Sequence, residues 1–463
     1  QVIQIGEHAF EFCNNLKEVN FSEKSEIKTI GKEIFSNSSI EHLYIPSKVE
    51  DLKDGWCYGT SKLTKVTISN ANKNFTYADS NHKIILGKSD PKSDTFDILI
   101  FASRDIEEVK VPPTVKYINC YSFSGCVNLR TINFSDDSQL QTIEKDAFSN
   151  TPIESIYIPP AVKELKEGWC HRTTKLMHVF ISPLNPNFAY LDHDQKMIVG
   201  KSQSSNEYFD ILLFACRDTT RAIIPPYVKR ISSFSFASCK KLKNVTISFD
   251  SELASIGEKA FAYSTLESIY IPSNIALIEN CTFLWCENLK SVSFYNSRLQ
   301  SIGIGSFSHS AIEKITIPEN VYYIRESAFS YCKHLKSVDL SENTELLSIE
   351  KNAFAHSSLK NISIPSSVNK IDESAFCNCK HLKSVDFKLD SELISIGHEA
   401  FAHSTLESIF VPSKVKELKD GCFLHMLNLN SISISSENSL LSFLDKKFIV
   451  GKSDVNLQDF DLL

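Results

Sequence analysis

The 463-residue chain has no apolar run approaching the roughly 18–20 residues that a bilayer-spanning helix needs. It has no long block of lysine and arginine and no stretch that interleaves basic with aromatic residues. With a net charge of −7 and a pI near 6.0, it is not built like a partner of nucleic acid or of an anionic membrane, both of which favour basic patches. No C-x-x-C pair occurs, and Cys377-Asn-Cys379 lacks a matching second half, so a zinc site is not expected. The G-x-S-x-G elbow, the P-loop and the dinucleotide fingerprint are all missing. No catalytic residue, cofactor or metal ligand is therefore assigned. The opening QVIQIGEHAF has no basic region followed by an apolar run, so no secretory leader is visible within it.

What the chain does have is one phrase written many times. IEHLYIPSKVEDLKDGWC begins at Ile40, IESIYIPPAVKELKEGWC at Ile153, LESIYIPSNIALIENCTF at Leu266 and LESIFVPSKVKELKDGCF at Leu406. Aligning every L/I-x-x-V/I-x-I/F gives starts spaced mostly by 23 or 24 residues, with two of 43 (Leu63 to Ile106 and Leu176 to Thr219). Leu16, Leu129 and Leu242 show a higher period of 113. A chain of this length and 42% hydrophobic content would ordinarily hold about two to four domains; self-similarity this dense implies one solenoid over residues 1–463 instead.

Each repeat reads as one coil. In IEKITI (Ile312 to Ile317), positions 1, 4 and 6 are apolar, and the last two carry the period of a half-buried strand. Proline or serine follows, and proline, having no N–H to donate, ends the strand. A second apolar pair comes next, as in VYYI (Val321 to Ile324), then a helix-like or turn segment closing on Ala-Phe. One coil cannot bury this set alone, whereas stacked coils can. Phe123, Phe148, Phe236, Phe261, Phe283, Phe329, Phe354, Phe376 and Phe401 fall at equivalent places and are expected to form an internal column, with Trp56-Cys57 and Trp169-Cys170 replacing Ala-Phe in two coils.

The strand opening, the IPS turn, the V-x-x-I pair, the A-F-x-x-C ending and the period of 23 together resemble BspA-like leucine-rich repeats, found on surface proteins of bacteria and protozoan parasites. The resemblance covers essentially the whole chain. It implies a β-rich α/β solenoid, a leucine-rich-repeat superhelix with one short parallel strand per 23–24-residue coil and β-hairpin insertions near 74–105, 187–218 and 437–463. KIILGK, the polar turn SDPKSD and FDILIFA read as a hairpin on their own terms. Position 9 lacks the regular Asn or Cys ladder of commoner leucine-rich repeats, so their tight horseshoe is not expected. The family implies adhesion, recognition of host extracellular or matrix proteins, and a cell-surface or secreted place; it supplies no set of binding residues to transfer. Gln1 enters mid-coil and FIVGKSDVNLQDFDLL stops inside the third insertion, so a segment of a longer protein is expected.

Cys13, Cys126, Cys239, Cys286, Cys332 and Cys379 recur three residues after the coil's Phe. Their nearest partners lie two coils apart, about 10 Å, beyond the roughly 4.4–6.8 Å between Cα atoms that a disulfide spans. Mostly free thiols acting as small apolar fillers are expected. His309, His356 and His403 each follow Phe by two and read as lattice residues, and the seven N-x-S/T sequons read as accidents of an Asn- and Ser-rich chain.

Function is sought where the repeat varies. Position 5 faces outward between two buried residues, and carries Tyr44, Tyr157, Phe180, Ile223, Tyr270 and Phe410. Exposed aromatics are favoured anchors of interfaces. Tyr157, Phe180 and Ile223 occupy three consecutive coils and are expected to form one apolar strip. Position 2 often alternates in sign, as in Glu267, Lys290, Glu313 and Lys336, which is read as a stacking register. The expectation is a non-enzymatic protein-binding module, with an intracellular scaffold or spacer as the alternative.

Overall fold

In the computed structural model of the chain, residues 2–203, 206–341, 344–444 and 448–451 are described. They divide into two compact units, Gln1–Arg217 and Asp218–Leu463. Each is a stack of the coils read from the sequence.

One coil of the second unit shows the logic. Lys314–Ile317 is a strand with Ile315 and Ile317 buried and Lys314 and Thr316 exposed. It pairs in parallel with Ser337–Leu340 of the next coil, Thr316 opposite Asp339. After Pro318 the chain turns into the two-residue strand Tyr323–Ile324. Strands of this second kind form a seven-stranded sheet from Leu277–Ile278 to Glu417–Leu418, parallel throughout.

The segment that closes on Ala-Phe is not helical. No α-helix occurs among the described residues, so the solenoid is β-rich without the α component expected. Ser327 and Tyr331, two residues to either side of Phe329, have φ of 56° and 58°. The same bracket recurs at Lys259 and Tyr263, Cys281 and Trp285, Asn352 and His356, Ser374 and Asn378, and Glu399 and His403. The N–H groups of Ser327, Phe329 and Tyr331 donate to Lys351, Ala353 and Ala355 of the next coil at 2.7–2.8 Å. Those of Ala328, Ser330 and Cys332 turn back to carbonyls three residues earlier. Alternate residues thus serve alternate partners, which an unbroken right-handed helix does not allow. Each left-handed residue costs about 1–2 kcal/mol, offset because every backbone donor in the turn is satisfied.

The aromatic column is present. Phe236, Phe261, Phe283, Phe307, Phe329, Phe354, Phe376 and Phe401 stack with ring centroids 5.0–5.4 Å apart and planes within 10°. All eight are fully buried, each burial contributing about 1.5–3 kcal/mol.

In the first unit, insertions replace coils at two places. Phe75–Tyr77, Ile84–Gly87 and Ile98–Ala102 form an antiparallel meander, and its last strand then joins the parallel stack, Tyr117 opposite Ile98. Phe188–Tyr190, Met197–Gly200 and Ile211–Ala215 repeat the meander. Each insertion restores what the missing coil would have supplied. Phe101 and Phe214 continue the core from Trp56 and Trp169, at 5.6 Å in both cases. The Tyr77 hydroxyl accepts from Ile68 N at 2.9 Å and donates to Val66 O at 3.0 Å, closing a strand edge left open. Tyr190 does the same for Ile181 and Val179. In the region expected to hold a third insertion, Leu441–Leu444 pairs antiparallel with Phe448–Gly451, and the expected remainder lies outside the described residues.

Candidate binding surface

Position 5 lies on the outer face of the strands in each unit. Phe180 is 50% and Ile223 63% exposed, whereas Tyr44, Tyr157, Tyr270 and Phe410 are half-buried. Tyr157 stands directly opposite Phe180. His178, also on that face, stacks on Phe180 with centroids 6.0 Å apart. Beyond Phe180 the strand edge is met by the Tyr190 hydroxyl of the insertion. Within the first unit Tyr157 and Phe180 form a pair, and within the second Ile223 stands opposite Thr246. Tyr44 faces Thr67, Tyr270 faces Ser293 and Phe410 faces Ser433, so none of these continues an aromatic row.

Other contributors escaped the repeat alignment because they sit in the turn after the strand. Phe249 is 87% exposed and lies 5.4 Å from the Tyr270 ring. Leu389, 89% exposed, borders a groove of about 290 Å³ with Asp386 and Phe410. Position 5 of the next coil lies 21 residues beyond each, which is the signal that pairs them.

The coil's second outward ridge is aromatic as well. Two residues after the core Phe, Tyr263, Trp285, His309, Tyr331 and His356 stack at successive centroid distances of 6.4, 3.8, 4.7 and 4.2 Å. Burial, then Lys333, holds His309 below the ordinary imidazole range, and burial, then Lys380 and Lys333, does so for His356.

Ten of the thirteen cysteines are buried. No disulfide joins any of the thirteen cysteines. Burial pushes Cys286, Cys332 and Cys379 up to about 12, 11 and 12. Their Sγ atoms donate to Phe261, Phe307 and Phe354 carbonyls of the preceding coil at 3.1–3.2 Å, so they are hydrogen-bonding stitches as well as fillers. Among the described residues a single group, His8, Glu11 and Glu33, brings three possible metal donors together. His8 Nδ1 lies 2.9 Å from Glu11 Oε2, an ion pair when the imidazole is protonated. No helix among the described residues is long and apolar enough to cross a membrane.

The repeat matches BspA type leucine rich repeat regions, six copies of them, over residues 1–83, 95–190, 207–336, 254–383 and 347–449. The chain belongs to that family. Among solved structures, the BspA-type chain is similar to a leucine-rich cell surface protein of Faecalibacterium prausnitzii, at 20% identity over 84% of this chain and 83% of that one, with a TM-score of 0.43. It is also similar to the pneumococcal vaccine antigen PcpA (18%, 93% and 92%, 0.46) and to a leucine-rich repeat protein of Eubacterium ventriosum (20%, 84% and 82%, 0.45). No curated protein matches it.

Proposed function

We propose that the chain is a non-enzymatic protein-binding module of an adhesion or surface-recognition protein, displayed at the cell surface or secreted, and that its ligands are host extracellular or matrix proteins. The observation that carries this reading is the outward pair of Tyr157 and Phe180 on an exposed sheet face, with Ile223 at the same coil position. Large exposed apolar groups reduce solubility unless a partner covers them, and aromatics at the centre of a patch contribute most of an interface's binding energy. The family resemblance supplies the adhesive setting. Replacing Tyr157, Phe180 and Ile223 together with Ser leaves all core residues in place. In a pull-down from host extracellular proteins, the variant is expected to keep the circular dichroism of the parent and lose its captured partner. Unchanged capture discards this surface as the binding site.

A second reading, an intracellular scaffold, is favoured by thirteen cysteines that form no disulfide, since oxidising compartments promote disulfides. Thiol labelling and glycan analysis of native material separate the two: reduced cysteines with unmodified sequons favour the interior.

A further inference from the structure

Position 2 reads Glu313, Lys336, Lys360, Lys383 and Glu407 in five coils of the second unit. Their backbones are bonded in that order: Lys336 N to Glu313 O at 2.9 Å, Lys360 N to Lys336 O at 3.2 Å, Lys383 N to Lys360 O at 2.8 Å and Glu407 N to Lys383 O at 3.4 Å. The alternation of Glu267, Lys290, Glu313 and Lys336 does not continue beyond Lys336, and three lysines stack at the spacing of neighbouring strands, about 4.8 Å. Lys333 and Lys380, three residues upstream in the outer two of these coils, add two more charges, and His334 and His381 stand beside them. All seven side chains are exposed.

Lys336 reaches Glu313 at 3.7 Å. Lys333, Lys360, Lys380 and Lys383 have no carboxylate partner among the described residues. Elsewhere the lattice pairs its charges across coils, as in Lys351 with Glu373, Arg325 with Glu350 and Lys229 with Glu252. Like charges on adjacent strands destabilise a sheet. The fold thus concentrates unpaired positive charge in one place on a chain of net charge −7. Glu313 and Glu407 close the patch at its two ends, and Asp339 and Asp386 lie three residues beyond Lys336 and Lys383, on the sheet face.

We propose that this patch binds a linear sulfated polysaccharide. The lysines form a grid over three coils, matching a polymer that carries charge on successive sugar rings. Lysine is a hydrated point charge suited to dispersed sulfates, and the patch has no arginine, whose fork grips phosphate in two bonds. Nucleic acid fits less well for a second reason. The adjoining Tyr331 ring is sandwiched between His309 at 4.7 Å and His356 at 4.2 Å, so both of its faces are occupied and offer no platform for bases.

The test uses the full chain on immobilised heparin. Retention at physiological salt is expected, with log affinity falling against log salt at a slope of roughly −3.5 for about five neutralised lysines, taking the single-strand coefficient. The variant Lys360→Gln/Lys380→Gln/Lys383→Gln is expected to bind at least tenfold more weakly with an equal or higher Tm, because like-charge contacts are removed. Lys17→Gln/Lys65→Gln/Lys110→Gln, outside the patch, keeps its affinity. The Tyr157, Phe180 and Ile223 triple variant also keeps it, so failure of the protein-binding surface and failure of this one are read separately. The proposal is overturned if heparin is not retained, if the patch variant binds as the parent does, or if neutral dextran or a single-stranded oligonucleotide binds as tightly as heparin.

Discussion

The two units solve the same stacking problem under different constraints. From Phe236 to Phe401 the second unit runs coil on coil, and its core is a single file of parallel rings. The first unit is interrupted twice, and there the file changes character: Trp56 meets Phe101 at 45° and Trp169 meets Phe214 at 54°. A coil is removable only if three of its services are replaced. The core ring comes from Phe101 or Phe214, and the sheet edge is closed by Tyr77 or Tyr190. The backbone acceptors of the neighbouring turns are met by a buried arginine. Arg104, 1% exposed, donates to Ser122 O at 3.0 Å, Ala102 O at 3.3 Å, Cys57 O at 3.4 Å and Cys57 Sγ at 3.0 Å. Its guanidinium also lies over the Phe101 ring at 4.9 Å. Arg217 stands likewise over Phe214 at 4.5 Å and donates to Thr173 O.

The largest effect is expected in the uninterrupted file. Phe329→Ala removes a ring packed on both faces and should cost about 3–5 kcal/mol, read by urea unfolding of the whole chain. A loss below about 1 kcal/mol would mean that the file collapses onto the gap, and that regular stacking confers nothing the tilted arrangement lacks.

The arginine plug gives the next effect. Arg104→Ala opens a cavity and removes hydrogen bonds to carbonyls that keep other donors, at a cost of about 3 kcal/mol; Arg104→Met refills the volume and removes a buried charge, and should cost about 1 kcal/mol. Equal losses from the two would assign the role to hydrogen bonding alone.

Much of this was legible in the sequence because the core is periodic. Positions 1, 4 and 6 and the Phe column follow from spacing alone, and the free thiols follow from coil separation. The left-handed turns did not follow, since segments such as ESAF are composed of residues that also suit a helix. Their conformation is imposed by hydrogen bonds to the next coil, which no local pattern encodes. One clue was available: Gly55 and Gly59 occupy the two bracketing positions in one coil, with φ of 69° and 67°. The exposed aromatic turn residues and the lysine grid escaped for a related reason. Lys333 and Lys383 are 50 residues apart in sequence, and a patch assembled across coils leaves no run to find. Outward position 5 was read from the strand period, and the parallel register sets Tyr157 opposite Phe180.

Acid should separate the units by a smaller margin. Each insertion holds a buried aspartate. Burial raises the pKa of Asp97, but the Ser89 hydroxyl and N–H and the Lys116 ammonium together outweigh it and bring the net value below the ordinary 3.8. At Asp210, burial is outweighed by the Ser202 hydroxyl and N–H and by Asn206. A carboxyl depressed on folding contributes stability that is fully present above its unfolded value, about 3.9, and is lost as pH falls through the folded one. The first unit, with Asp97, Asp105 and Asp210 depressed against Asp372 in the second, should therefore weaken more below about pH 4, and Asp97→Asn/Asp210→Asn should reduce that difference, while at pH 7 that variant loses about 1.5–3 kcal/mol per site. Trp56 and Trp169, buried beside the two insertions, report this by fluorescence, and Trp285 reports the second unit. A variant that keeps the parent's acid slope would place that sensitivity outside the insertions, and the contrast between the units would then lie in packing alone.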